Sequence, residues 1–197
     1  MTTSPWWASE SFWRKTAIWV TGVSLVVLVL LTFDSMRQIT AGSKRVPAYS
    51  AINYRIEYKF DEKRYVQVPV LGIKEPLFGK ELSEQDAEAL VARGKMTIQA
   101  KNCINCHTLL GNGAYFAPDL TKSWLDPYWG SREIREQLMV DFIKDPSDKL
   151  HNALGRRMPN LGVTDEEARG VVAFLKWMST IDTNGFPYNF KSMPQEK

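Results

Sequence analysis

A mainly α-helical protein, with one N-terminal membrane-spanning helix and one small helical domain beyond it, is the fold class this sequence predicts. Three observations lead there. Residues 16–33 (TAIWVTGVSLVVLVLLTF) run for 18 positions without a charge, just enough to cross a bilayer core at about 1.5 Å per helical residue. Three later stretches carry apolar residues at helical spacing, two of them behind capping residues, most clearly after Thr164-Asp165-Glu166-Glu167. Both cysteines of the 197-residue chain sit together in Cys103-Ile104-Asn105-Cys106-His107.

Composition is that of an ordinary globular protein, with 44% hydrophobic and 24% charged residues. A net charge of only +3 excludes the strong basic field of a nucleic-acid binder. With both cysteines in one motif, no disulfide framework is left to read.

The apolar run is bounded by Arg14-Lys15 and Asp34, and Trp13 and Trp19 near one end suit an interfacial aromatic belt. A cleaved signal peptide is the alternative, but its apolar core is usually about 7–15 residues and ends in small residues. Leu30-Leu31-Thr32-Phe33-Asp34 lacks that pattern and Ile39-Thr40-Ala41 is a weak one, so an uncleaved anchor is favoured. Charge does not orient it: Arg14 and Lys15 lie on one side, Arg37, Lys44 and Arg45 on the other. Residues 34–47 then read as a polar linker.

From Tyr54 the period changes to two: Tyr54, Ile56, Tyr58 and Phe60 alternate with Arg55, Glu57 and Lys59. A charged turn and the run from Tyr65 to Val70 complete a β-hairpin over residues 53–70, with Pro69 demanding an edge. A lone hairpin is marginal in water, so this one must pack on the helical domain or on a partner.

Helical spacing begins at Leu82, with Ser83 as cap, Asp86 at the third position, and Leu90, Val91 and Ile98 leading to the cysteine motif. Gly94 inside it costs about 1 kcal/mol relative to Ala, which close approach by another helix would explain. A second helix over residues 131–144 places Ile134, Leu138 and Phe142 on one face, with Pro146 just beyond. The third, after Thr164, carries Ala168, Val171, Val172, Leu175 and Met178 as a core stripe, and residues 181–197 form a non-helical tail.

C-x-x-C-H is the attachment signature of c-type haem. Two thiols at this spacing each add to a haem vinyl group, and the adjoining His107 then lies under the iron. Three other readings stand beside it. A thioredoxin-like redox pair would follow a strand, whereas residues 87–101 read as helix. Zinc on Cys103, Cys106, His107 and His151 would need adjacent residues on one small ion. A chance cluster in a core is the third. The specificity of the signature favours haem.

The iron's other face has Met158 as its leading candidate, in the loop Gly155-Arg156-Arg157-Met158-Pro159 before the last helix. Proline after it stiffens the loop. Met139 and Met178 fall in helices as core, Met96 is too near the motif, Met193 is in the tail, and His151 is the competitor. A His/Met pair leaves no open position, so the domain carries electrons and performs no bond chemistry on its own. Arg156 and Arg157 are candidate partners for haem propionates. The order of helix, motif, loop, helix, methionine loop and final helix is that of a class I-like monohaem cytochrome c domain, here with an inserted β-hairpin before it.

Residues 103–120 (CINCHTLLGNGAYFAPDL) closely resemble the haem segment of the small, membrane-anchored cytochrome c component of bacterial nitric oxide reductase, its C subunit. Gly155-Arg-Arg-Met-Pro159 and residues 174–184 (FLKWMSTIDTN) are similar to the same family. The likeness covers the anchor and residues 88–188. It implies an electron-transfer subunit that takes single electrons from a soluble periplasmic cytochrome or cupredoxin. It would pass them to haem b of a large catalytic subunit, where two NO become N2O and water. It also implies a calcium ion shared with that subunit, with the Gly113 carbonyl and the Tyr115 side chain as this chain's share; both are acceptable hard-oxygen ligands. Bacterial c-type haem is attached outside the cytoplasmic membrane. The expected division is therefore a cytoplasmic N-terminus (1–15), an inner-membrane anchor (16–33), a periplasmic linker with hairpin (34–81), the cytochrome c domain (82–181) and a tail (182–197). The segment 46–80 departs from the family, whose members pass from anchor to haem domain more directly. Without the resemblance, a stand-alone anchored electron shuttle or a haem-based ligand sensor would carry the same motif.

Overall fold

A computed structural model describes residues 5–43, 45–146 and 157–187. The chain divides into two compact units, Met1–Val46 and Pro47–Lys197.

The first unit is built on one helix, α1 (Glu10–Ile39), 30 residues long. Its central window has a mean hydropathy of 2.3 and none of that window is buried in protein. A helix that is apolar all round and unburied suits a lipid surrounding. It extends beyond the uncharged run at both ends, so residues 34–39, expected as linker, are helical. Gln38 donates to the Asp34 carboxylate one turn back, which lets polar residues prolong the helix. At the other end Trp6, Phe12 and Trp13 meet edge to face, and the Trp13 indole donates to the Trp7 carbonyl.

In the second unit an antiparallel hairpin, β1 (Tyr54–Asp61) with β2 (Val66–Lys74), precedes three helices: α2 (Glu84–Ala100), α3 (Arg132–Lys144) and α4 (Asp165–Met178). The hairpin runs past its expected end at residue 70 to Lys74, and Pro69 pairs with Tyr58 in a two-stranded sheet where both strands are edges. Its turn is tied by Asp61, whose carboxylate accepts from the amides of Lys63 and Arg64. Of the alternating apolar residues only Ile56 and Tyr58 are buried, while Tyr54 and Phe60 are exposed. The preceding turn, Tyr49–Asn53, is core as well, with Ile52 fully buried. The Asn53 side chain pairs in both directions with the backbone of Leu82, and Tyr49 stacks on Trp177. The inserted segment is thus built into the helical unit.

The caps form as the sequence implies. Ser83 accepts from the Asp86 amide, and Thr164 with Glu167 makes a reciprocal capping box. Ala87, Val91, Gly94, Thr97 and Ile98 form the buried face of α2. It crosses α4 at a glycine pair: a Cβ on Gly94 would lie 1.9 Å from the Gly170 carbonyl oxygen. The backbones touch there, which is the close approach expected of Gly94.

On α3 the expected face is displaced. Arg135, Met139 and Val140 are buried, whereas Ile134 is 53% exposed and Leu138 and Phe142 are only half-buried. The cause is a tertiary contact. The Trp124 ring lies 5.3 Å from the Arg135 guanidinium carbon and draws that side inward.

Candidate haem site

The site begins where α2 ends. Asn102 takes a left-handed conformation (φ 53°), turning the chain out of the helix into a tight turn at Cys103–Asn105. The amides of Cys106 and His107 both donate to the Cys103 carbonyl. This brings two half-buried thiols and the imidazole together on one short stretch of backbone. Burial pushes the Cys103 thiol up from its ordinary value, away from the thiolate that a redox-active pair requires.

The chain then folds back on itself. The carbonyls of Ile104, Cys106 and Thr108 accept from the amides of Ala114, Ala117 and Leu120, at 2.8–3.0 Å. Asp119 holds the base of this loop, accepting from the Thr108 hydroxyl at 2.6 Å and from the Thr121 amide at 2.8 Å. The Thr121 hydroxyl in turn accepts from the Leu110 amide at 2.7 Å. Residues 103–121 are in effect one closed structure.

That closure sets the imidazole. His107 Nδ1 lies 2.7 Å from the Pro118 carbonyl oxygen. A carbonyl only accepts, so Nδ1 carries a proton, and in the neutral imidazole the lone pair is then on Nε2. A metal-ligating histidine is normally held in this manner through its second nitrogen. Two half-buried thiols at C-x-x-C spacing beside an imidazole held through its Nδ1 are the donor set that a covalently attached haem requires.

Gly113 is fixed by sterics. Its φ is +124°, and a Cβ would lie 2.2 Å from the His107 carbonyl oxygen and 2.6 Å from an Ile104 methyl. Any side chain would displace the backbone that carries the imidazole. Tyr115 is 80% exposed, and its hydroxyl donates to the Gly111 carbonyl at 3.0 Å. Its oxygen retains acceptor capacity. No group of three or more His, Cys, Asp or Glu side chains placed to hold a free metal ion exists among the described residues.

Met158 is half-buried in an irregular stretch before α4, with Arg157 exposed beside it. Lys101, at the end of α2, donates to the Gly162 carbonyl at 3.0 Å, and the Gly162 amide donates to the Asn160 side chain. The methionine stretch is thereby tethered to the helix end that opens the cysteine motif. Met139 and Met178 are core, at 0% and 3% exposure, and Met96 projects outward. Arg156 and His151 lie outside the described residues.

Sequence reasoning misses Thr108, Asp119 and Thr121, whose hydrogen bonds close the loop. Their one signal is Asp119-Leu120-Thr121, since an aspartate favours a turn in which its side chain accepts from the amide two residues on. It also misses two buried lysines. Lys122 donates to the Ile181 carbonyl at 2.8 Å and Lys176 to that of Glu75 at 3.0 Å. Burial lowers each to about 8.

The cytochrome c family model matches residues 91–179, from the middle of α2 through α4. The C subunit of nitric oxide reductase from Stutzerimonas stutzeri is 37% identical over 116 residues, 58% of this chain and 76% of that protein. The corresponding protein of Paracoccus denitrificans is 37% identical over 112 residues, 56% of this chain and 73% of its own length. That of Halomonas halodenitrificans is 36% identical over 102 residues, 51% and 65% respectively. Likeness of this extent, spanning the loop that aims His107 beside the two thiols, makes the chain a member of the nitric oxide reductase C-subunit family.

Proposed function

We propose that this chain is the electron-accepting subunit of a membrane-bound nitric oxide reductase. It takes single electrons from a periplasmic cytochrome c or cupredoxin and hands them to haem b of a catalytic subunit. There two NO, two electrons and two protons give N2O and water. The observation that carries the reading is the His107–Pro118 hydrogen bond, which prepares one imidazole nitrogen for iron beside Cys103 and Cys106. The family membership supports the rest.

Haem c, when bound, supplies a one-electron couple. Cys103 and Cys106 would hold it by thioethers, and the His107 imidazole and the Met158 thioether would ligate its iron. The exposed Arg157 would reach a propionate, and Arg156 is proposed beside it. Gly113 and Tyr115 would contribute a carbonyl and a phenol oxygen to a calcium ion completed by the catalytic subunit. Residues 16–33 would anchor the chain in the inner membrane, with residues 1–15 cytoplasmic, the cytochrome c domain at 82–181 in the periplasm, and the tail from 182.

Purification of the tagged full chain in mild detergent is the test. Recovery of a large haem b-containing subunit, with NO consumption driven by reduced soluble donor, is expected. A chain that purifies alone and exchanges electrons only with soluble proteins would instead be an anchored shuttle.

A further inference from the structure

Away from the haem loop, the hairpin, α3 and α4 enclose a cavity of about 30 Å³. That is room for roughly two waters or one halide-sized ion. Its walls carry four cations, Arg55, Arg132, Arg135 and Lys176, against two carboxylates, Glu57 and Glu75. Glu75 is already held by Arg55 at 2.7 Å.

The remaining positive groups line the same cavity, Arg132 half-buried as a residue and the other two buried. Lys176 is 1% exposed and Arg135 is 4% exposed. Lys176 has three N–H donors and gives one to the Glu75 carbonyl, while its ammonium sits 5.1 Å from the Trp124 ring centre. Nη1 of Arg132 is buried with no hydrogen-bond partner among the described residues. Arg132 and Arg135 also occupy the first turn of α3, where helix amides already present positive charge. Glu136 of α3 faces Lys176 of α4, but its carboxylate accepts from the Phe78 amide at 2.7 Å.

A buried guanidinium nitrogen with nothing to bond is strongly unfavourable. Placing it beside a second arginine and a buried lysine compounds that penalty. We infer that the cavity binds one small monovalent anion of chloride size, held by Arg132 Nη1 and the Lys176 ammonium. The ion supplies the acceptor these donors lack and fastens the hairpin, through Arg55 and Glu75, to α3 and α4. It is a structural ion, remote from electron transfer.

The test uses the full-length, haem-loaded protein in detergent at fixed pH and ionic strength. Sodium gluconate, whose anion is too large for the cavity, is replaced stepwise by chloride or bromide. A saturable rise of about 5 °C in the unfolding temperature is expected. Crystals grown in bromide should show an anomalous peak between Arg132 and Lys176. Arg132→Gln, with its haem spectrum intact, should raise the half-saturating halide concentration by roughly tenfold or more, the loss expected for one charged donor. Equal unfolding temperatures in gluconate and chloride, or a cavity holding only water in bromide crystals, would overturn the inference. So would an unchanged half-saturating concentration in Arg132→Gln.

Discussion

The Tyr58 hydroxyl donates to the Ser179 carbonyl oxygen at 2.8 Å, joining the first strand of the hairpin to the end of α4 across 121 residues of sequence. The phenol is buried, and burial together with nearby Asp182 raises its pKa far above the ordinary value. It remains a neutral donor at any pH the protein meets. The Lys122 ammonium sits 5.1 Å from the same ring, so the hairpin is held to the helical unit by both polar and cation–π contact.

Replacing that hydroxyl isolates the bond. Tyr58→Phe keeps the ring and leaves a buried carbonyl without its partner, which should lower unfolding free energy by about 1–3 kcal/mol. The haem absorption spectrum should not change. Denaturant unfolding of the wild type and the variant measures the difference, and equal midpoints would show that this hydrogen bond contributes nothing to docking the hairpin.

The glycine crossing predicts a sharper effect. Gly94→Ala drives a methyl into the Gly170 carbonyl and should destabilise the protein by about 3 kcal/mol through forced separation of α2 and α4. Gly162→Ala is the control. Its φ is +62° but nothing lies within 4 Å, so only about 1 kcal/mol of backbone strain is expected. Similar losses in the two variants would contradict the backbone contact.

Met158→Ala should abolish the weak near-infrared band of ferric methionine ligation and lower the reduction potential. His151→Ala should leave both unchanged. The reverse pattern would transfer the axial role to His151.

Calcium in the complex is tested by Tyr115→Phe. The ring is exposed and its hydroxyl donates to the Gly111 carbonyl, away from the imidazole, so the haem c spectrum should be unaltered. Resistance of NO reduction to chelators should fall. Unchanged chelator sensitivity would leave Tyr115 with its intrachain hydrogen bond alone.

Stability should also respond to alkali in a definite direction. Lys122 and Lys176 titrate near 8 in the folded chain because burial disfavours their charged forms, Asp182 opposing this at Lys122, and Glu136 and Glu75 at Lys176. Unfolded lysine titrates at about 10.4. Between those values the unfolded chain binds more protons, so stability rises with pH from about 8 to 10. Lys122→Met should flatten that rise, as measured by urea midpoints at about pH 7.5 and 9.5, on either side of the folded value. A slope equal to the wild type's would mean that Lys122 holds its proton equally in the folded and unfolded chains, its ammonium effectively solvated.

Much of the helical frame is legible in the sequence because its signals are local. Ser83, Thr164 and Glu167 cap within one turn, and Gly94 stands out because a helix interior tolerates glycine poorly. The cysteine motif is legible because covalent chemistry fixes its spacing. Elements decided by distant contacts are not. Ile134 reads as core from spacing alone, yet the Trp124 ring claims Arg135 instead. Lys122 and Lys176 give no sign of burial, because what covers them is the hairpin and the residues beyond α4, each far away in sequence. The length of α1 escapes for a different reason: its polar C-terminal flank is kept helical by a local side-chain bond, Gln38 to Asp34, that hydropathy does not record.

The self-bonded loop around the histidine bears on the order of assembly. Its ties join residues about ten positions apart, and loops of that size close in roughly 10–100 ns. The α2–α4 contact and the Tyr58–Ser179 bond bring together far more distant residues and wait on slower closure. A newly made chain would therefore present its thiols and a pre-aimed imidazole while the helices around them were still apart. Timing of this kind leaves the cysteines reachable by haem before the surrounding packing shuts them in.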